Sequence, residues 1–74
     1  MFDDLDTIAL TRALPEFGLK AGDAGTVVHV YTDGKSYEVE FVTLSGEPIA
    51  VVTLEADAIR PIRAREIAQA RDVA

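Results

Sequence analysis

Residues 26–42 read Thr26-Val27-Val28-His29-Val30-Tyr31-Thr32-Asp33-Gly34-Lys35-Ser36-Tyr37-Glu38-Val39-Glu40-Phe41-Val42. Two runs of β-branched and aromatic residues flank Asp33-Gly34, the pattern of a β-hairpin. Asp-Gly favours a two-residue type I′ turn with both residues at positive φ. Such a turn sets Thr32 opposite Lys35 and with it the whole register. Val30 then faces Tyr37, Val28 faces Val39 and Thr26 faces Phe41 on one side of the ribbon. His29 faces Glu38 and Val27 faces Glu40 on the other. The first side is almost wholly apolar and is assigned to the core, which makes the second the outer face.

Downstream, Ser45-Gly46 marks another turn, and Pro48 stands where a ladder donor is lost. Residues 49–55 form the returning strand. The same pairing logic sets Ala50 opposite Phe41, Val52 opposite Val39 and Leu54 opposite Tyr37, all inward. Ile49, Val51 and Thr53 then point outward beside Val42, Glu40 and Glu38, and a bulge would invert part of this strand. Glu55-Ala56-Asp57-Ala58 reads as a single helical turn. Residues 59–62 read as a short closing strand with Pro61 at an edge. Upstream, residues 7–14 alternate as a half-buried strand that ends at Pro15. Residues 15–25 carry three glycines and form an irregular loop, from which Phe17 and Leu19 fold back onto the core.

The last stretch changes character. Ala64, Ile67, Ala68 and Arg71 fall at helical spacing among good helix formers, so residues 63–74 predict a short C-terminal helix. An isolated helix of this length is marginal in water and must dock on something. The expected fold is therefore all-β. It is a small five-stranded SH3-like barrel over residues 1–62, with a one-turn helix before the last strand and a helical tail over residues 63–74.

Composition bounds the rest. The chain has 74 residues, one small domain, and a domain of this size buries only about 60% of its unfolded surface. There is no cysteine, which excludes disulfides and thiolate metal sites. No apolar run approaches the roughly 20 residues of a membrane helix, and the acidic start lacks the basic region of a signal peptide. A cytoplasmic location is the expectation. Seven Lys and Arg against thirteen Asp and Glu give a net charge of −6. That sign disfavours nucleic-acid binding, which draws on Lys and Arg for its phosphate contacts. It favours encounter with basic partners.

The segment Gly18-Leu19-Lys20-Ala21-Gly22-Asp23-Ala24-Gly25-Thr26-Val27-Val28-His29-Val30-Tyr31 carries a resemblance. With Leu10-Thr11-Arg12-Ala13-Leu14-Pro15-Glu16, Tyr37-Glu38-Val39-Glu40-Phe41, Ala50-Val51-Val52-Thr53-Leu54 and Ile59-Arg60-Pro61, it resembles a bacterial family, domain-of-unknown-function family 4926. The likeness covers roughly residues 5 to 62. It implies an SH3-like barrel that stands alone as a small protein, and a role as antitoxin or immunity partner of a neighbour-encoded protein. More distantly, residues 20–28 are similar to the Gly-Asp-x-Gly-x-Val entry of KOW-type ribosomal and transcription-factor domains and of the nitrile hydratase β-subunit barrel. Those likenesses imply a nucleic-acid or ribosome-associated module, or an accessory subunit of a metalloenzyme. Gly22 and Gly25 would allow the sharp turn common to all three. The RNA-binding KOW proteins carry Lys and Arg around this turn, whereas here Glu16, Lys20 and Asp23 surround it.

The residues offer little for catalysis. The one histidine, His29, stands opposite Glu38, a pairing that suits a general base. Nothing brings Ser36 or Ser45 to it, and a surface cross-strand pair is the plainer reading. A metal held by His29, Glu38 and Glu40 falls short of a sheltered site, and Asp3-Asp4-Asp6 lacks the glycine and spacing of a calcium loop. Gly34-Lys35-Ser36 ends like a P-loop but lies between strands, with His29 where the first glycine belongs. Arg60, Arg63, Arg65 and Arg71 form the one basic cluster, suited to an acidic partner or phosphate, or more simply to nearby Asp and Glu. No catalytic, cofactor or metal residue is therefore expected.

The outer face is the strongest candidate. Val27, Val42, Ile49 and Val51 lie there with His29, Glu38 and Glu40 among them. Contiguous apolar residues on an exposed sheet mark a covered or binding surface. The cover is Ile67 and Ala68 of the tail helix, a second copy in a homodimer, or another protein whose basic surface complements the glutamates. The expected function is a non-enzymatic protein–protein interaction module.

Overall fold

The computed structural model describes residues 2–73. Five strands follow the chain: β1 (Thr7–Leu10), β2 (Ala24–Val30), β3 (Ser36–Val42), β4 (Pro48–Glu55) and β5 (Ile59–Pro61). They form one antiparallel sheet in the order β4-β3-β2-β1-β5. The chain meanders through the first four strands. A 3-10 turn at Ala56–Ala58 then carries it to β5, which pairs with the far side of β1. This all-β order is consistent with the small barrel expected. Ile8, Leu10, Leu14, Leu19, Val27, Tyr37, Val39, Phe41, Leu54, Ala58 and Ile59 make the core.

β1 stops at Leu10 rather than running to residue 14. Thr11 leaves the strand because its N–H and hydroxyl donate to the carbonyls of Ala58 and Asp57, at 2.9 and 2.8 Å. Leu14 is buried by another route. It bridges to Leu19 across a 3-10 turn at Pro15–Phe17 that Gly18 closes at φ 69. Leu19 is buried as expected, whereas Phe17 stays partly exposed.

The central hairpin keeps its register near the turn but not the turn type. His29 pairs with Glu38 and Val30 with Tyr37, as the sequence requires. Only Gly34 adopts positive φ, however, and its N–H donates to the Tyr31 carbonyl at 3.0 Å. The Asp33 carboxylate accepts the N–H groups of Lys35 and Ser36 at 2.8 and 3.1 Å, which stabilises the wider turn without a second left-handed residue.

Further along, a bulge at Val28 breaks the register. Val27 pairs with Val39 and Thr26 with Glu40. Val27 is thus fully buried and does not belong to the outer face, while Val28 is 38% exposed. The extra residue lets Gly25 and Val27 face the core at one end of β2 and Val30 at the other, which strict alternation forbids. A second bulge lies in β4. Phe41 pairs with Ala50 but Val42 with Pro48, so Ile49 is the additional residue. It packs against the core rather than pointing outward. The Thr43–Glu47 loop forces this, closed by Thr43 N–H on the Glu47 carbonyl at 2.8 Å.

Among the described residues the tail forms no helix, and residue 74 of the expected helix lies outside them. The tail makes one turn, with the Glu66 N–H on the Arg63 carbonyl at 3.2 Å, and otherwise runs without regular structure through residue 73. A short helix is marginal, and here side-chain bonds to the sheet replace it. Arg60 holds the Glu66 carboxylate through two bonds of 2.8 and 2.6 Å, and the Arg63 N–H adds a third at 2.6 Å. Arg71 grips both oxygens of Asp23 and the Gly18 carbonyl.

Both acids of these clasps titrate low. The Arg60 guanidinium, helped by the Arg63 amide, holds Glu66 down from the ordinary 4.5 to about 2. Arg71 lowers Asp23, with burial opposing it. An acid depressed in the folded state contributes its anchoring fully above the unfolded value and loses it as pH falls through the folded one. The Glu66 clasp therefore holds above about 4.5 and opens on the way to about 2. Amide protection across residues 63–73, taken by NMR as exchange relative to the intrinsic rate at each pH, should fall over that window. Glu66→Gln should show the lower protection already at neutral pH.

Candidate functional site

Alternation along β3 and β4 builds the outer face. With the ladder in register from Ser36↔Glu55 to Phe41↔Ala50, Tyr37, Val39 and Phe41 go inward, so Glu38, Glu40 and Val42 go outward. Val51 pairs with Glu40 and Thr53 with Glu38 on the same side. Val42, at the end of β3, is 49% exposed and Val51, on β4, 53%, so the two present apolar surface on this face. The tail does not cover them with Ile67, which is 92% exposed. Of the seven residues assigned to this face from sequence, five lie there: His29, Glu38, Glu40, Val42 and Val51. The two bulges remove Val27 and Ile49.

His29 and Glu38 are cross-strand neighbours, yet each side chain is engaged elsewhere. The Thr53 hydroxyl donates to Glu38 Oε1, and the His29 ring sits edge-on to Tyr31 with centroids 4.7 Å apart. The serines lie on other partners. Ser36 Oγ donates to Asp33 Oδ2 at 3.4 Å, and Ser45 Oγ meets Thr43 Oγ1 at 3.0 Å. The pairing that a histidine-activated nucleophile needs is therefore not assembled. Among the described residues, no group of three or more His, Asp or Glu is arranged to hold a metal ion. No helix among them is long and apolar enough to cross a membrane.

The basic cluster is partly consumed. Arg60 and Arg71 are bound to Glu66 and Asp23, which leaves Arg63 and Arg65 exposed on the tail. The Asp23–Arg71 clasp also shapes a groove of about 690 Å³ between residues 69–73 and the β3–β4 loop. Leu19, Phe41, Val42 and Ile49 line it, and Leu44 at the loop tip is 98% exposed. Sequence reasoning missed this clasp because Asp23 reads as an ordinary turn residue. Its side chain does accept the Lys20 N–H at 2.8 Å, but it spends its other contacts on Arg71. The opposite-sign excess in residues 60–71 was the available signal.

A family model described as "Domain of unknown function (DUF4926)" matches residues 4–61. No curated protein and no solved structure matches the chain.

Proposed function

Because the chain belongs to the DUF4926 family, whose description assigns no activity, we propose a role from its surface: a non-enzymatic module that binds another protein through the outer face of β3 and β4. One observation carries this reading. Val42 and Val51 stay half exposed on the outer face, with Glu38 and Glu40 beside them. Exposed apolar residues ringed by carboxylates suit a partner with an apolar centre and a basic rim. The net charge of −6 would steer such a partner in. A neighbour-encoded protein that this module neutralises is one form the partner would take.

The double variant Val42→Asp, Val51→Asp tests it. Both sites are half exposed, so the variant should still fold, with a modest loss of melting temperature from the aspartate placed opposite Glu40. Affinity for a co-purifying neighbour-encoded protein should fall at least about tenfold, equivalent to about 1.4 kcal/mol at the interface. Retention of that protein at wild-type affinity by the variant would sink the proposal.

A further inference from the structure

We propose that the edge of β4, which pairs with no second strand among the described residues, takes up an extended, basic segment of the partner by strand addition. This rests on the binding-module reading above and supplies its mode and the chemistry of the segment.

The two edges of the sheet are built differently. β5 has three residues and ends at Pro61, which has no N–H to offer, and the Arg60–Glu66 clasp lies beside it. β4 has eight residues, and its pairs with β3 run without interruption from Ser36↔Glu55 to Phe41↔Ala50. Residues 50–54 contain no charge, proline or glycine. Natural sheets blunt exposed edges with lysine, proline, bulges or brevity. One edge here carries such devices, and the middle of the other carries none. A regular, uncharged run such as residues 50–54 is a template for a short incoming strand.

The free groups can be assigned. The Ala56 N–H donates to the Lys35 carbonyl at 3.1 Å, which fixes the phase of the β3–β4 ladder. By alternation Leu54, Val52 and Ala50 bond to β3, and Val51 and Thr53 turn their N–H and C=O groups to the open edge. Their side chains stand on the outer face. An added strand would bond at 51 and 53 and set its own outward side chains next to Val51 and Thr53. Glu38 and Glu40 lie one strand further in, about 5 Å from β4, within the sweep of a Lys or Arg stem on the added strand. Glu47 and Glu55 stand at the two ends of β4. A second copy of this chain would bring the same glutamates and another charge of −6 to the edge, so complementarity selects a basic segment instead.

The probe is a capped peptide of alternating lysine and valine, titrated into the full chain with amide exchange read by NMR. At saturation it should slow exchange at Val51 and Thr53 by about tenfold or more, with no such effect from a glutamate–valine peptide. Thr53→Pro removes an edge donor while keeping every backbone bond to β3, but it also loses the hydroxyl bond to Glu38; Thr53→Val loses that hydroxyl alone, so Thr53→Pro should bind the peptide about tenfold more weakly than Thr53→Val. Should Thr53→Pro fail to fold, the wild-type exchange pattern decides. Perturbation of the Val42 and Val51 side chains without slowing at 51 and 53 overturns strand addition while leaving outer-face docking intact. Equal binding of the glutamate peptide, no binding at all, or a dimer by light scattering at neutral pH also overturns it. Failure of the binding-module reading is separately visible, as partner affinity indifferent to Val42→Asp, Val51→Asp.

Discussion

Replacing Gly25 with alanine should lower the melting temperature by about 8–16 °C. A Cβ at this position would lie 2.7 Å from Phe41 Cε1 and 2.8 Å from Val39 Cγ1. Both neighbours are core side chains with almost no exposure, so neither can swing into solvent. Overpacking of this kind costs about 1–3 kcal/mol. The lower entropy of the unfolded alanine chain offsets about 0.4–1 kcal/mol of that. The upper end of the overpacking range applies because neither neighbour can move aside, and the resulting net loss of about 2 kcal/mol is a large part of the roughly 4–11 kcal/mol available to a chain of this length; each kcal/mol moves the midpoint by about 4–8 °C. Gly25→Val should be worse. The cause is volume rather than dihedral angle, which gives a control. Gly22 sits at φ 92 with open space around it, so Gly22→Ala is strained only through its backbone. Val39→Ala combined with Gly25→Ala should cost less than the sum of the two single losses, whereas combined with Gly22→Ala the losses should simply add. Unchanged thermal melting of Gly25→Ala would refute the close approach of β2 to β3.

The second large effect separates two adjacent valines. Val27→Asp should abolish folding or cost at least about 3–5 kcal/mol, because the site is fully buried and offers an incoming carboxylate no partner. Val28→Asp should cost under about 1 kcal/mol, since its side chain sits on the bulge and reaches water. An uninterrupted ladder predicts the reverse order. Denaturant titration of the two variants therefore measures the bulge itself. Equal losses, or a larger loss at Val28, would show that β2 runs without it.

The same pair shows how far the sequence could be read. Period-two patterning located all five strands, and turn chemistry located both hairpins. Pairing arithmetic from Asp33-Gly34 set Val30 opposite Tyr37 correctly even though the turn is wider than two residues. Arithmetic cannot see an inserted residue. Val27 and Val28 are chemically identical, so nothing in their side chains says which one faces in. The choice is made by Gly25, whose missing side chain is required at the Phe41 and Val39 contact. In the sequence Gly25 reads as a turn former, and only the three-dimensional neighbourhood shows that space is its reason. Ile49 is the same case at the other hairpin. Its neighbour Pro48 marked an irregularity, but not the direction in which the irregularity would rotate the next side chain.

The tail failed for a different reason. Helical spacing of Ala64, Ile67, Ala68 and Arg71 is real, but spacing weighs only local terms. Two guanidinium–carboxylate clasps, at Glu66 and Asp23, hold an irregular path against the sheet. Their residues lie up to 48 positions apart in the chain, beyond the reach of any window of periodicity. Five residues of the outer face were legible because alternation holds along β3 and β4 between the bulges; Val27 and Ile49 fall where it breaks. The free backbone edge of β4 was less legible, because being last in a sheet is a property of topology.

That edge has a colloidal consequence. The sequence's isoelectric point is near 4.5, so the mutual repulsion that keeps copies apart at neutral pH vanishes there. An uncharged run of β-formers at a sheet margin then meets its own kind with nothing opposing contact, the condition for cross-β stacking. Solubility should pass through a minimum near the isoelectric point. Acid titrations of the tail are best run dilute, and concentrated stocks kept well above neutrality.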